Sequence, residues 1–312
     1  MWKYIIKRVL LMFFVIFGAT FLTFLMMYLA PGDPGLLIAQ SRYGTDLTPE
    51  QVQWVVETEC LDAPFYIQYL KWLEHILFLD FGRSLVTGKS VSDEISARLP
   101  ATLLLAITSL TISLIISIPL GIYSAKRSGT WKDRAVQTFV LVAKSIPSFY
   151  LGPIFILIFS VWLGLLPSYG FSTLSGLILP SLTLALGMCA ITTRLLRSSI
   201  LEVMSQEYVV AARAKGFDEE YIMRKHILKN SLLPLITFAG LQMGYLLGGA
   251  VVVETVFSWP GIGKLLADSI SLKDFPMIQG CALVIVALFC MVNLVVDILY
   301  AYLDPRVRYD AD

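Results

Sequence analysis

Apolar residues gather along this chain in six long runs, separated by polar blocks of unequal size and charge. About 20 consecutive apolar residues span a hydrocarbon core of roughly 30 Å. The runs Val9 to Ala30, Ala101 to Ala125, Ala135 to Leu166, Leu177 to Leu196, Leu232 to Val253 and Met277 to Leu303 meet that length. The pattern predicts an all-α integral membrane protein with six transmembrane helices. Ser145 to Thr193 carries no charge for 49 positions, so two spans share it. The break falls best at GLLPSYGFSTLSG, where Gly164, Pro167, Gly170 and Gly176 interrupt the run. Pro147, Gly152 and Pro153 lie inside the third run and predict a kinked helix beside a cavity.

The polar blocks add detail. Pro31 to Arg98 holds ten acids against five bases and is too long and too aromatic for a turn or a disordered linker. Within it, Pro49 to Leu79 places Trp54, Tyr66, Tyr69 and Trp72 at helical spacing. A helical insertion follows, with amphipathic helices that rest on the membrane surface by their aromatic faces or meet a partner. A second block, Glu207 to Pro234, sets Arg213, Lys215, Arg224, Lys225, Lys229 and His226 beside four acids and must lie in water. It reads as two short helices about a glycine. Ala211, Ala212 and Ala214 favour helix, Gly216 is a natural residue to end one, and Asp218 can cap the next, whose first turn carries Glu219 and Glu220. A third block, after the fifth run, places Trp259 for an interfacial aromatic belt and Pro260 and Gly261 in a turn. A short amphipathic helix through Ile262, Leu265, Leu266 and Ile270 then lies at the outer surface.

Lysine and arginine counts orient the chain. The N-terminus, the loop after the second run, the Glu207 block with its approach and the tail hold 16 bases, against seven in the other connections. Both termini and the charged block are expected in the cytoplasm. The expected units are a first transmembrane helix (1–31), an extracytoplasmic insertion (32–97), five further helices with the charged segment 207–234 between the fourth and fifth (98–304), and a cytoplasmic tail (305–312).

Composition agrees and removes alternatives. The chain is 57% hydrophobic, 15% charged and has a mean hydropathy of +0.74, too apolar for a soluble domain. Its 22-residue first run exceeds a signal h-region and meets Pro31 at once, so it is read as a retained helix. Cys60, Cys189, Cys281 and Cys290 are scattered with no C-x-x-C, which supports neither a disulfide framework nor a metal site. Gly82 to Ser90, GRSLVTGKS, has five residues between its glycines where a phosphate loop has four, and it falls on the outer side. The chain is expected to hydrolyse no ATP itself and to bind no cofactor. His75 with Met188, Cys189, Met243, Cys281 and Met291 could be drawn as a soft-metal path, but core filling explains them better.

Charges inside the apolar runs are more informative, because an ionised group there is costly and seldom faces lipid. Lys144 lies ten residues into the third run, about 15 Å along a straight helix, and Asp297 lies seven from the end of the sixth. They are expected to pair across the bundle, or Lys144 to face an aqueous pathway and meet an anionic group of a substrate. Snorkelling of Lys144 to the inner surface is the third reading.

The charged block resembles the cytoplasmic coupling motif of permease subunits of binding-protein-dependent ABC importers, Glu-Ala-Ala, three residues, then Gly. Aligned on Gly216, the alanines fall on Ala211 and Ala212 and the acid falls on Val210, with Glu207 one turn away. The peptide and nickel branch is the closer match. It is similar in ARAKG (Ala212 to Gly216), HILKNSLLP (His226 to Pro234), ETVFSWPGIGKLL (Glu254 to Leu266), PGDP (Pro31 to Pro34), LDFGRS (Leu79 to Ser84), LPAT (Leu99 to Thr102) and LDPRVR (Leu303 to Arg308). The resemblance implies a bacterial or archaeal inner-membrane permease for peptides or nickel chelates. Its implied partners are a homologous permease, two ATPase subunits holding ATP-Mg, and an extracytoplasmic binding protein. It implies ATPase coupling through Ala211, Ala212, Arg213, Ala214, Lys215, Gly216, Phe217 and Asp218, and an outer loop with Trp259, Pro260 and Gly261 facing the binding protein. The rivals are an ion-coupled secondary transporter using Lys144 and Asp297, and a non-transporting membrane scaffold.

Overall fold

The computed structural model describes residues 2–29, 32–170 and 174–303. The tail 305–312, Pro31 of the PGDP motif and most of LDPRVR lie outside them. Helix α1 spans Trp2–Tyr28, and α2 (Pro34–Tyr43), α3 (Pro49–Thr58) and α4 (Phe65–Leu77) form the insertion. Then come α5 (Val91–Lys126), α6 (Trp131–Ser145), α7 (Ser148–Phe155) and α8 (Ile178–Met204). The charged block holds α9 (Glu207–Ala214) and α10 (Glu219–Ile222), which lead into α11 (Lys229–Val256), α12 (Ile262–Leu272) and α13 (Phe275–Leu303). Five of the helical segments are long and apolar enough to cross a membrane, and α6 with α7 makes a sixth if counted as one broken span.

The kink expected in the third run is present and sharper than a kink: the run is two arms, α6 and α7 with its continuation to Trp162, at 99°. Pro147 has no N–H to continue the ladder and holds Ile146 extended, at φ −85°, ψ 118°. Past Pro153 the second arm widens into π turns over Ile156–Trp162. Lys144 therefore ends an arm, and the depth reckoned along a straight helix does not apply to it. The second span also begins earlier than the apolar pattern indicates, at Val91, because Ser90 caps it and Asp93 and Glu94 suit its first turn.

In a bilayer, lipid is as apolar as leucine, so helices associate by close approach of small residues. Ser109, Ser113, Ser117, Gly121 and Ala125 recur every four residues on α5 and are all buried. They meet α8, where a side chain on Gly121 would come within 3.1 Å of Leu196. The insertion folds against α1. The Tyr69 hydroxyl shares a 2.9 Å hydrogen bond with Thr20, and the rings of Phe17, Phe21, Phe24 and Tyr28 meet those of Phe65 and Tyr69. These contacts reach from residue 28 back to residue 17, about 16 Å along the helix, so α4 lies along the span.

At the C-terminal end of α11 the backbone turns around a buried acid. Glu254 is wholly enclosed, accepting from the Thr102 hydroxyl at 2.8 Å and from the Lys264 amide at 2.9 Å. Thr102 in turn accepts from the Ile262 amide at 2.8 Å. One carboxylate and one hydroxyl thus satisfy the first turn of α12 and bind it to α5. Gly261 leaves the room, since a Cβ there would sit 2.3 Å from the Glu254 carboxyl atoms. Trp259 is drawn inward, fully buried, with its indole N–H on the Ala101 carbonyl at 2.9 Å. The expected interfacial, partner-facing role of Trp259 is corrected: its ring packs in the bundle core with Leu105, Leu179 and Leu246. Gly261 is buried as well, and only Pro260 of the three is exposed. Asp274, at the start of α13, holds the Ser84 hydroxyl and the Leu85 amide and ties the end of the insertion to the same corner.

Replacing Glu254 by Ala strips acceptors from Thr102 and Lys264 and costs on the order of 3 kcal/mol. In thermal unfolding of the detergent-purified chain, Glu254→Ala is expected to melt well below the unsubstituted protein, with Glu254→Gln between them because its carbonyl still accepts.

Candidate coupling segment and inner cavity

The charged block folds as a tight corner under the bundle. Helix α9 ends in a Schellman turn: the Gly216 amide bonds Arg213 O at 2.9 Å and the Phe217 amide bonds Ala212 O at 3.3 Å. Gly216 takes φ +77°, a left-handed geometry that glycine adopts without strain. Asp218 then caps α10 through the Glu220 amide at 3.0 Å, and Arg213 reaches back across the turn to Glu219 at 2.6 Å. The expected helix, glycine and helix are all present. The second helix does not stop: six residues of π geometry, Met223–Leu228, carry it directly into α11.

Two faces follow from this corner. Inward, Val209 and Ala212 are buried with Ile222, Met223 and Ile227 of the same block, Leu196 and Ile200 of α8, and Ala125 of α5. Asn230 of α11 donates to the Tyr208 hydroxyl at 2.9 Å and closes the edge. Outward, Ala211, Ala214, Lys215, Gly216, Phe217 and Asp218 are exposed, and Arg213 is half-buried. Sequence reasoning missed the aromatic part of this face. Phe217 stacks on Tyr221 at 5.4 Å, and the Lys225 ammonium lies 5.1 Å over the Tyr221 ring. The four-residue spacing of Phe217 and Tyr221 was the available signal. Val210, at the position of the motif's acid, is 54% exposed.

The intramembrane pair does not form. Asp297 on α13 meets Arg8 of α1 at 2.9 Å. Lys144 instead lines a cavity of about 530 Å³ between α6 and α8, with Gln137, Leu141, Ile191, Arg194 and Arg197. Arg197 is committed, since its guanidinium grips Asp133 through two bonds of 2.8 and 2.7 Å and also reaches Ser128. Asp133 is buried and further accepts from Ser124 and the Gly129 amide. No His, Cys, Asp and Glu group suited to a metal ion occurs among the described residues.

The described residues form a multi-pass helical bundle with a charged corner at one end. Comparison with known proteins specifies its class. Residues 117–309 match the family described as the binding-protein-dependent transport system inner membrane component, and residues 1–106 match the N-terminal domain of such membrane components. The chain belongs to this family: it is a permease subunit of a binding-protein-dependent ABC importer, a transport component and not itself an enzyme. It is 41% identical over 309 residues to the glutathione transport system permease protein GsiC of Escherichia coli (strain K12), covering 99% of this chain and all of the relative. The GsiC of Salmonella typhimurium is 40% identical over the same span. Among solved structures, the inward-facing MetNI methionine ABC transporter superposes with a TM-score of 0.58 at 21% identity, over 68% of this chain and 96% of that one. That likeness is one of fold.

Gly216→Ala meets no neighbouring atom, because the space around Gly216 is open, so its effect is backbone strain alone. Hydrogen exchange at the Gly216 and Phe217 amides is expected to rise about ten-fold, with the bundle amides unchanged.

Proposed function

We propose that this chain forms half of an ATP-driven import pathway for short peptides of the glutathione type, delivered by an extracytoplasmic binding protein. The observation that carries the reading is the corner at Gly216, whose aromatic and small-residue outer face is exposed while its inner face is fused to α8 and α11. An exposed helix of this kind suits the groove of a partner subunit. The permease pairs with a homologous permease, and two ATPase subunits bind below, where ATP-Mg is theirs to hold. Lysine and arginine bias supports a cytoplasmic location for both termini and the corner. Support for a peptide cargo comes from the relatives named as glutathione permeases. A nickel chelate is the second cargo the sequence motifs allow, and the relatives favour the peptide.

Docking at the corner involves Ala211, Ala214, Lys215, Gly216, Phe217 and Asp218 directly. Ala212 and Arg213 support it from within. Val210 presents an apolar surface where the family motif has a charge, so the contact is chiefly one of shape. The Lys144 and Asp297 relay of a secondary transporter has no support in the Arg8–Asp297 pair.

The test is uptake into proteoliposomes holding both permeases and the ATPases, with the binding protein supplied outside. Accumulation of labelled glutathione that needs both ATP and the binding protein is expected. Accumulation driven by a proton gradient without ATP would overturn the proposal.

A further inference from the structure

The cavity between α6 and α8 holds more positive charge than the fold uses. Three cations line it, and Asp133 answers only Arg197. Among the described residues Lys144 and Arg194 have no ion pair, and the cavity wall contains no acid. Lys144 and Arg194 are both exposed on the open side of this cavity, and a cleft lined by one sign of charge concentrates ligands of the other. At about 530 Å³ the space falls within the usual range for small-molecule sites. Its wall is mixed, with Leu141, Ile191 and Leu195 supplying apolar surface next to the charges. That combination fits a small organic anion better than a bare inorganic one.

Position sharpens the assignment. Arg194 lies ten residues before Met204, the last residue of α8, about 15 Å along the helix. The same turns of α8 that carry Arg194 and Ser198 into the cavity carry Leu196 and Ile200 into the cluster around Val209 and Ala212. A shift of the corner would therefore be felt in the cavity wall through one rigid helix.

We infer that this cavity is a transit site for the carboxylate of the cargo, with the Lys144 ammonium and the Arg194 guanidinium as its charge partners. Arg197, neutralised and locked by Asp133, holds α6 to α8 without leaving its place. The inference rests on the import function proposed above and adds to it a chemical preference within the permease, separate from selection by the binding protein.

The experiment compares Lys144→Gln, Arg194→Gln and the double variant with the unsubstituted complex in proteoliposomes, using one binding protein throughout. The probes are a tripeptide with a free C-terminal carboxylate and the same tripeptide as its amide. Loss of a charge-assisted bond is expected to lower uptake of the acid on the order of ten-fold in each single variant, with amide uptake changed less than two-fold. A second measurement avoids those substitutions. In a Ser198→Cys complex, alkylation of the new thiol should be slowed by millimolar acid peptide and not by the amide. Equal losses for both peptides, equal protection by both, or variants that lose bound anionic phospholipid while keeping acid preference would overturn the transit site. An unsubstituted complex with no ATP-dependent uptake of either peptide would overturn the import function instead, so the two failures are distinct.

Discussion

Burial of Val209 and Ala212 under α8 and α11 is the contact on which the functional reading depends. A block with nine charged residues would otherwise be a solvated loop, free to move without moving anything else. Here its inner face joins a cluster with Leu196, Ile200, Ile222 and Ile227, each wholly buried. The corner becomes the lower end of two membrane helices. Because packed side chains transmit displacement with little loss, a push on the exposed face reaches α8 and α11 together.

The far end of α11 is fixed with equal care by different chemistry. Glu254 and Thr102 satisfy the start of α12, and Trp259 fills the core behind them. The 28-residue helix Lys229–Val256 thus runs from the apolar cluster at the charged corner to a buried hydrogen-bonded acid at its other end. Irregular helical geometry occurs in the π turns at Met223–Leu228 and in the broken pair α6 and α7. These are the places where side chains and neighbours, not continuous ladders, set the helix path. Under the proposed function they are where bending would concentrate.

Much of this was legible in the sequence, for local reasons. Apolar runs near 20 residues gave the spans, and Gly216 followed by Asp218 announced a stop and a cap because both signals act within a few residues. The misreadings were tertiary. Trp259 looked like an interfacial anchor, but its hydrogen-bond partner is the carbonyl of Ala101, 158 positions away. Asp297 looked free to meet Lys144, but α1 lies against α13 and brings Arg8, counted in the sequence only as a flanking base. Pro147 signalled a kink but not its 99° angle, and both arms pack against α8. Arg194 was counted for orientation alone, since its neighbour Lys144 is 50 residues earlier and meets it only across the cavity.

The central claim, that force enters through the Gly216 corner, is tested most directly by Gly216→Pro in the assembled complex. Proline cannot take φ +77°, removes the amide that bonds Arg213, and disfavours the helical conformation of Lys215. The measurement is the number of ATP molecules hydrolysed per peptide imported. The account predicts an inserted, assembled complex that hydrolyses ATP while import falls at least ten-fold; an unchanged ratio with full import would contradict it.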